Sequence, residues 1–153
     1  MTDDFFVKNI LSIAEGFSDS SSDPARKVGA IITDKNLNVI AKGYNKFPSW
    51  VDVNKIETMS KDTKGMVIDH AEVSALKHLD TLDEKYHIQE SYMFITCHPC
   101  KWCCESIISS KFNITKIFYK ETVLSNTFRK RFCIHETNDI LYNGNIELVK
   151  VKV

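Results

Sequence analysis

Ser91-Tyr92-Met93-Phe94-Ile95-Thr96-Cys97-His98-Pro99-Cys100-Lys101-Trp102-Cys103-Cys104 reads as a strand that runs directly into a helix. Ser91 to Thr96 is rich in aromatic and β-branched residues. Pro99 suits the first turn of a helix, where its missing N–H costs nothing, so a helix is predicted from there to Ser109 or Ser110. Ile114 to Tyr119 predicts the next strand. A strand, a helix and a strand in this order form a crossover unit with parallel neighbours.

Working outward, His70 to Leu79 predicts a helix with Val73, Leu76 and Leu79 on one side and Asp69 as its N-cap. Before it, Tyr44 to Asp69 is irregular, with Pro48, Gly65 and many polar residues; a loop of this length in a compact domain is functional or disordered. Val28 to Thr33 is a nearly continuous apolar run, and Asn38 to Gly43 follows after Asp34-Lys35-Asn36-Leu37, which predicts a hairpin. Asp3 to Phe17 places Phe6, Ile10, Ile13, Ala14 and Phe17 at helical spacing. Gly16 and the polar stretch from Ser18 to Pro24 end that helix. Downstream, His135 to Tyr142 predicts a helix ending at Asn143-Gly144, and Ile146 to Val153 alternates as a last, half-exposed strand. The expected fold is α/β: a three-layer α/β/α sandwich around a mixed sheet of about five strands, with residues 1–153 as a single domain.

Composition bounds the function. The 153 residues are 43% hydrophobic and 26% charged, an ordinary globular balance. Twenty Lys and Arg against twenty Asp and Glu leave a formal charge of zero, which argues against a polynucleotide-gripping surface and for a small-molecule partner. No apolar run approaches the roughly 18 to 20 residues of a membrane helix. The N-terminus carries Asp3 and Asp4 where a secretory signal would be positive, so a cytoplasmic location is expected. Four of the five cysteines fall between Cys97 and Cys104. A disulfide framework would spread them, so the cluster points to metal or thiolate chemistry.

Two fragments carry that chemistry. Cys100 and Cys103 lie three apart at a helix start, on one face, where free N–H groups and the helix dipole favour thiolates. Two such thiolates suit a tetrahedral zinc ion, but the spacing alone fits a redox dithiol or inert core cysteines equally well. His70-Ala71-Glu72 opens the other helix. His70 offers an imidazole nitrogen, and Glu72 can face the same cavity from the first turn. A redox dithiol has no need of this pair, although either residue alone is common at a surface or a helix end. Three protein ligands and a water is the count of a catalytic zinc; a structural site would need a fourth ligand.

His-x-Glu followed by Pro-Cys-x-x-Cys resembles the signature of the zinc nucleobase deaminases. The chain also resembles the cytidine and deoxycytidylate deaminase superfamily at Asp23-Pro24-Ala25-Arg26-Lys27-Val28-Gly29-Ala30-Ile31-Ile32, at Gly43-Tyr44-Asn45-Lys46-Phe47-Pro48 and at His70-Ala71-Glu72-Val73-Ser74-Ala75-Leu76. The resemblance implies His70, Cys100 and Cys103 as ligands of one zinc ion, Glu72 as the proton shuttle, Asn45 at the sugar and the backbone of Ala71 at the pyrimidine carbonyl. The Asp-Pro lead-in, Gly-Tyr-Asn and the long Ser49 to Asp69 insertion are similar to the deoxycytidylate branch. That likeness implies hydrolysis of dCMP to dUMP and ammonia and a homo-oligomer. Another cytosine nucleotide or nucleoside, a base in tRNA, or a zinc-stabilised binding protein on the same fold are the rival expectations. A 5′-phosphate needs cationic donors. Arg26 and Lys27 are the candidates, with Arg129-Lys130-Arg131 as another basic cluster. Lys46, Ser49 to Asp52 and Lys120 to Arg131 depart from the branch's pattern, and part of the pocket wall is expected from the last of these.

Overall fold

The computed structural model describes residues 4–23, 26–60 and 68–153. Its elements in chain order are α1 (Asp4–Ser18), β1 (Gly29–Asp34), β2 (Val39–Tyr44), a 3-10 turn (Val53–Thr58), α2 (Ala71–Asp80), α3 (Glu84–Ile88), β3 (Glu90–Ile95), α4 (Lys101–Ser109), β4 (Asn113–Lys120), α5 (Asn126–Arg131), a second 3-10 turn (Ile134–Glu136), α6 (Thr137–Asn143) and β5 (Glu147–Val151). The sheet order is β2-β1-β3-β4-β5. β1 runs antiparallel to both β2 and β3, while β3, β4 and β5 are mutually parallel. β2 and β3 therefore point the same way, and α2 and α3 carry the chain across β1 between them.

The side-chain alternation of the strands divides the core into two layers. Ile31, Phe94 and Phe118 face α1, and Phe94 stacks on Phe118 at 4.7 Å. Ala30, Ile32, Met93, Ile95 and Ile117 face the opposite side and pack with α2, Ile107 of α4 and Leu141 of α6. The mixed three-layer α/β/α architecture agrees with the sequence reading. No helix among the described residues is long and apolar enough to cross a membrane.

Several local expectations are corrected. In α1 the buried stripe is Val7, Ile10, Leu11 and Ala14, while Phe6 and Ile13 are each 54% exposed. Both sets have helical spacing, and the contact with Ile31 and Phe94 selects between them. His70, not Asp69, is the N-cap of α2, and it makes no side-chain capping bond. Asp69 is instead paired through its backbone with Lys46 (Lys46 N–H to Asp69 O 3.0 Å, Asp69 N–H to Lys46 O 2.8 Å) and through its carboxylate with Lys77. α4 starts later than Pro99, with Cys100 as its N-cap. The expected helix over His135 to Tyr142 is a 3-10 turn followed by α6, entered through Cys133 in the left-handed region at φ 50°. α3 and α5 are short helices that periodicity did not reveal. Pro24, Ala25 and Gly65 lie outside the described residues.

Gly43 shows why β2 and α2 lie so close. A Cβ there would stand 2.3 Å from the backbone N of Ala75 and 2.7 Å from the backbone O of Ala71. The strand preceding Asn45 thus contacts the helix that begins with Ala71 and Glu72 through bare backbone.

Candidate active site

The site forms where the parallel strands end, at the carboxyl edge of the sheet, the usual ligand position in an open α/β fold. β2 ends at Tyr44 and delivers Asn45; the Lys46–Asp69 backbone pair closes the intervening excursion at its base, so His70 returns beside Asn45. β3 ends at Ile95, and Thr96 to Pro99 lead to Cys100. A cavity of about 340 Å³ lies between these ends, with His70, Ala71, Glu72 and Cys100 among its lining residues.

The His70 Nδ1 atom is 3.8 Å from Cys100 Sγ and 3.3 Å from Cys103 Sγ, and all three donor atoms lie within 4.8 Å of one another. Zn–S and Zn–N bonds of about 2.3 and 2.0 Å at tetrahedral angles require donor separations of about 3.5 to 3.8 Å. One imidazole and two sulfurs at these distances fit a zinc ion, and they leave one coordination position for water. Cys100 at the N-cap and Cys103 as the third helical residue of α4 both point to the same side of the first turn. Cys104 is buried among the core residues and does not join the three.

The electrostatics are those of a reactive cluster. A hydrogen bond from the Cys103 thiol, against the cost of burial, holds Cys100 well below the ordinary thiol range, and His70 assists. The same hydrogen bond and burial push Cys103 up, as expected when two adjacent sulfurs share one proton. The hydrogen bond to Cys100 raises His70, with burial opposing. Glu72 is only 3% exposed, and burial, then the nearby Cys100, raise its carboxyl above the usual range. A carboxyl raised by desolvation is suited to both taking and giving a proton near neutrality. Burial pushes the Cys97 thiol up to about 12, which leaves it inert.

The other anticipated residues separate. Asn45 is buried and lines the cavity, but its Oδ1 accepts from Val28 N–H at 2.8 Å and its Nδ2 donates to Arg26 O at 2.7 Å. It therefore braces the entry to β1, and only its remaining amide capacity can meet a ligand. Arg26 lines the cavity. Lys27 does not: its side chain is exposed on another surface and donates to Ser21 O at 2.8 Å and Asp19 O at 3.4 Å. Adjacent residues in extended chain point opposite ways, which is why one of the two is turned outward. Of the basic cluster near α5, Arg131 reaches the cavity lining. Periodicity did not reveal Phe128 and Phe132, which complete that wall, nor His98 on the β3–α4 connection. The helix that carries Phe128, with Phe132 as its C-cap, has only six residues, too few for a periodic signal, although Ser125 capping Phe128 N–H is a readable start.

A mixed α/β/α sheet with a His, two Cys and a buried Glu at its carboxyl edge defines the zinc-deaminase class of fold and site. Residues 3–121 match the cytidine and deoxycytidylate deaminase zinc-binding region, and the chain belongs to that family. It is 30% identical over 127 residues to a probable deoxycytidylate deaminase of Caenorhabditis elegans, covering 80% of this chain and 60% of that protein. An uncharacterised deaminase of Aliivibrio fischeri is 26% identical, covering 94% of this chain and 91% of the relative. The crystal structure of dCMP deaminase from the cyanophage S-TIM5, in complex with dCMP and dUMP, superposes with a TM-score of 0.74 and 26% identity, covering 98% of this chain and 99% of that one. The chain spans about half to three-fifths of the length of the animal deoxycytidylate deaminases it matches.

Proposed function

We propose that the chain hydrolyses dCMP to dUMP and ammonia, with one zinc ion held by His70, Cys100 and Cys103. The observation that carries this reading is the buried Glu72 beside that three-donor set, at a cavity whose lining includes Arg26 and Arg131. The near full-length likeness to a phage dCMP deaminase supports the choice of substrate.

Zinc at these ligands would supply a hydroxide near neutral pH by acidifying a bound water. Glu72, desolvated beside the ligand set, takes a proton from the attacking water and delivers it to ring N3 of cytosine, which makes C4 electrophilic. After the resulting hydroxide adds to C4, Glu72 takes the proton of the new C4 hydroxyl and passes it to the 4-amino group; the C4–N bond breaks, ammonia leaves and the C4 carbonyl forms. The first turn of α2 presents the Ala71 backbone to the pyrimidine carbonyl, and the free capacity of the Asn45 amide meets the sugar. Arg26 receives the 5′-phosphate. Lys27, turned away from the cavity, has no part in this assignment. A cavity of about 340 Å³ suits a single nucleotide.

A substrate panel tests the reading. kcat/KM for dCMP is expected to exceed that for deoxycytidine, dCTP and a cytosine-containing RNA hairpin at moderate salt. Faster turnover of the RNA would replace the substrate and leave the chemistry. Absence of ammonia release from every member, in zinc-loaded protein, would favour the binding-protein alternative. A homo-oligomer, implied by resemblance alone, is tested by sedimentation.

A further inference from the structure

The cavity wall beside His70 is built by α5 and its C-cap Phe132, and the aromatic residues there reach two functional groups at once. Ser125 caps the helix, accepting from Phe128 N–H at 3.1 Å. Phe128 and Phe132 are four apart and therefore share a face; their rings lie 4.4 Å apart. Phe132 approaches the His70 ring edge-on at 6.3 Å, and its carbonyl accepts from Lys101 N–H at 3.1 Å, joining the end of α5 to the first turn of α4. Phe128 carries the guanidinium of Arg26, whose Cζ is 4.0 Å from the ring centroid.

Arg26 is thus held at both ends. Asn45 grips its backbone carbonyl, and its head lies over the ring of Phe128 and also bonds the Cys97 side chain. A guanidinium over an aromatic face is attracted by the ring's negative face, which limits the positions its head can take. An unsupported arginine would lose several rotamers on gripping an anion.

We propose that Phe128 is a positioning residue that preorganises Arg26 to receive the anionic phosphate of the nucleotide. This rests on the reading of Arg26 as the phosphate donor, and it assigns a specificity role to a helix outside the motif-bearing segments. Phe128 acts through Arg26, so its removal should weaken phosphate recognition and leave the proton chemistry of Glu72 in place.

The experiment is steady-state kinetics on the full zinc-loaded chain with dCMP and deoxycytidine as paired substrates. The variants are Arg26→Ala, Phe128→Leu, Phe128→Tyr and the double Arg26→Ala/Phe128→Leu. A partly desolvated cation–π contact corresponds to about 3- to 10-fold. Phe128→Leu is expected to lower the dCMP-to-deoxycytidine ratio of kcat/KM by about that factor, carried by KM for dCMP and not by kcat. Phe128→Tyr, which keeps the ring, should restore the ratio, and the double variant should be no worse in this ratio than Arg26→Ala alone. If Phe128→Leu is too unstable to assay, Phe128→Met carries the same comparison.

An unchanged ratio in Phe128→Leu, an equal loss on both substrates, or a double variant whose ratio falls below that of Arg26→Ala overturns the positioning role. If Arg26→Ala meanwhile abolishes the dCMP preference, the substrate reading stands without it. Full dCMP preference in Arg26→Ala removes the phosphate donor and this proposal together. A wild-type chain that does not prefer dCMP removes the substrate reading itself.

Discussion

Glu72 is the residue on which the proposed chemistry turns, and its surroundings set it beside the three-donor group and outside it. Its carboxyl is desolvated and hydrogen-bonded to Cys103, beside the trio and not within it. Glu72→Gln preserves volume and most hydrogen bonding but cannot carry a proton. It is expected to lower kcat by about 10²- to 10⁴-fold while retaining about one zinc per chain. Elemental analysis alongside the activity assay checks both halves. Loss of the metal would make Glu72 a structural partner of the ligands, and unaltered turnover would place the shuttle elsewhere.

Among the elements, the β2–α2 contact ties stability to the site. A methyl group at Gly43 meets backbone atoms of Ala71, Ser74 and Ala75, which cannot rotate away. Gly43→Ala is therefore expected to destabilise by about 1 to 3 kcal/mol and to displace the first turn of α2, lowering kcat as well. Denaturant unfolding together with kinetics separates these effects; retention of both would mean that the strand shifts freely. The β1–β2 turn behaves differently. Burial is the largest single influence on the Asp34 carboxyl and raises it, but hydrogen bonds from the Asn38 side chain and backbone and from Asn36 N–H together outweigh it, leaving it below its ordinary 3.8. A depressed folded-state value means the charged form adds stability above the unfolded value, and that contribution is lost as pH falls through the folded value. Asp34→Ala should then cost about 1 kcal/mol at pH 7. The gap from wild type should begin to close as pH falls below about 4, where the unfolded carboxyl protonates, and finish closing as the folded carboxyl protonates in turn. A gap independent of pH would assign the effect to turn geometry alone.

For the whole molecule, the metal would connect α2 to α4, two helices that follow different strands. A group bound only by the folded state adds stability by mass action, about 2.7 kcal/mol at a hundredfold excess over its dissociation constant. For a domain of this size that corresponds to a drop in Tm of about 5 to 10 °C when a strong chelator strips the metal. Cys100→Ala should start lower and respond little to the chelator. A wild-type Tm indifferent to chelation would reject a zinc ion linking the helices.

The local chemistry was legible in the chain itself. The strand-to-helix reading from Ser91 onward, the hairpin around Asp34 and the two metal motifs rest on short-range periodicity and on residues whose chemistry is specific. α2 and α4 begin one and two residues after His70 and Pro99, where the sequence places them, because a loop or a strand end leaves little freedom there. Tertiary structure decided what depends on direction in space. The side of α1 that is buried was set by the facing strands, since Val7, Ile10, Leu11, Ala14 and the rival stripe through Phe6 and Ile13 share the same period. Asn45 and His70 meet because the Lys46–Asp69 backbone pair closes the intervening loop, a long-range contact without local signature. Arg26 and Lys27 are chemically alike and adjacent, yet one lines the cavity and the other turns outward. The wall bearing Phe128 comes from a six-residue helix that is short for its periodicity to be read, and whose place is fixed by its contacts with Arg26, His70 and the start of α4.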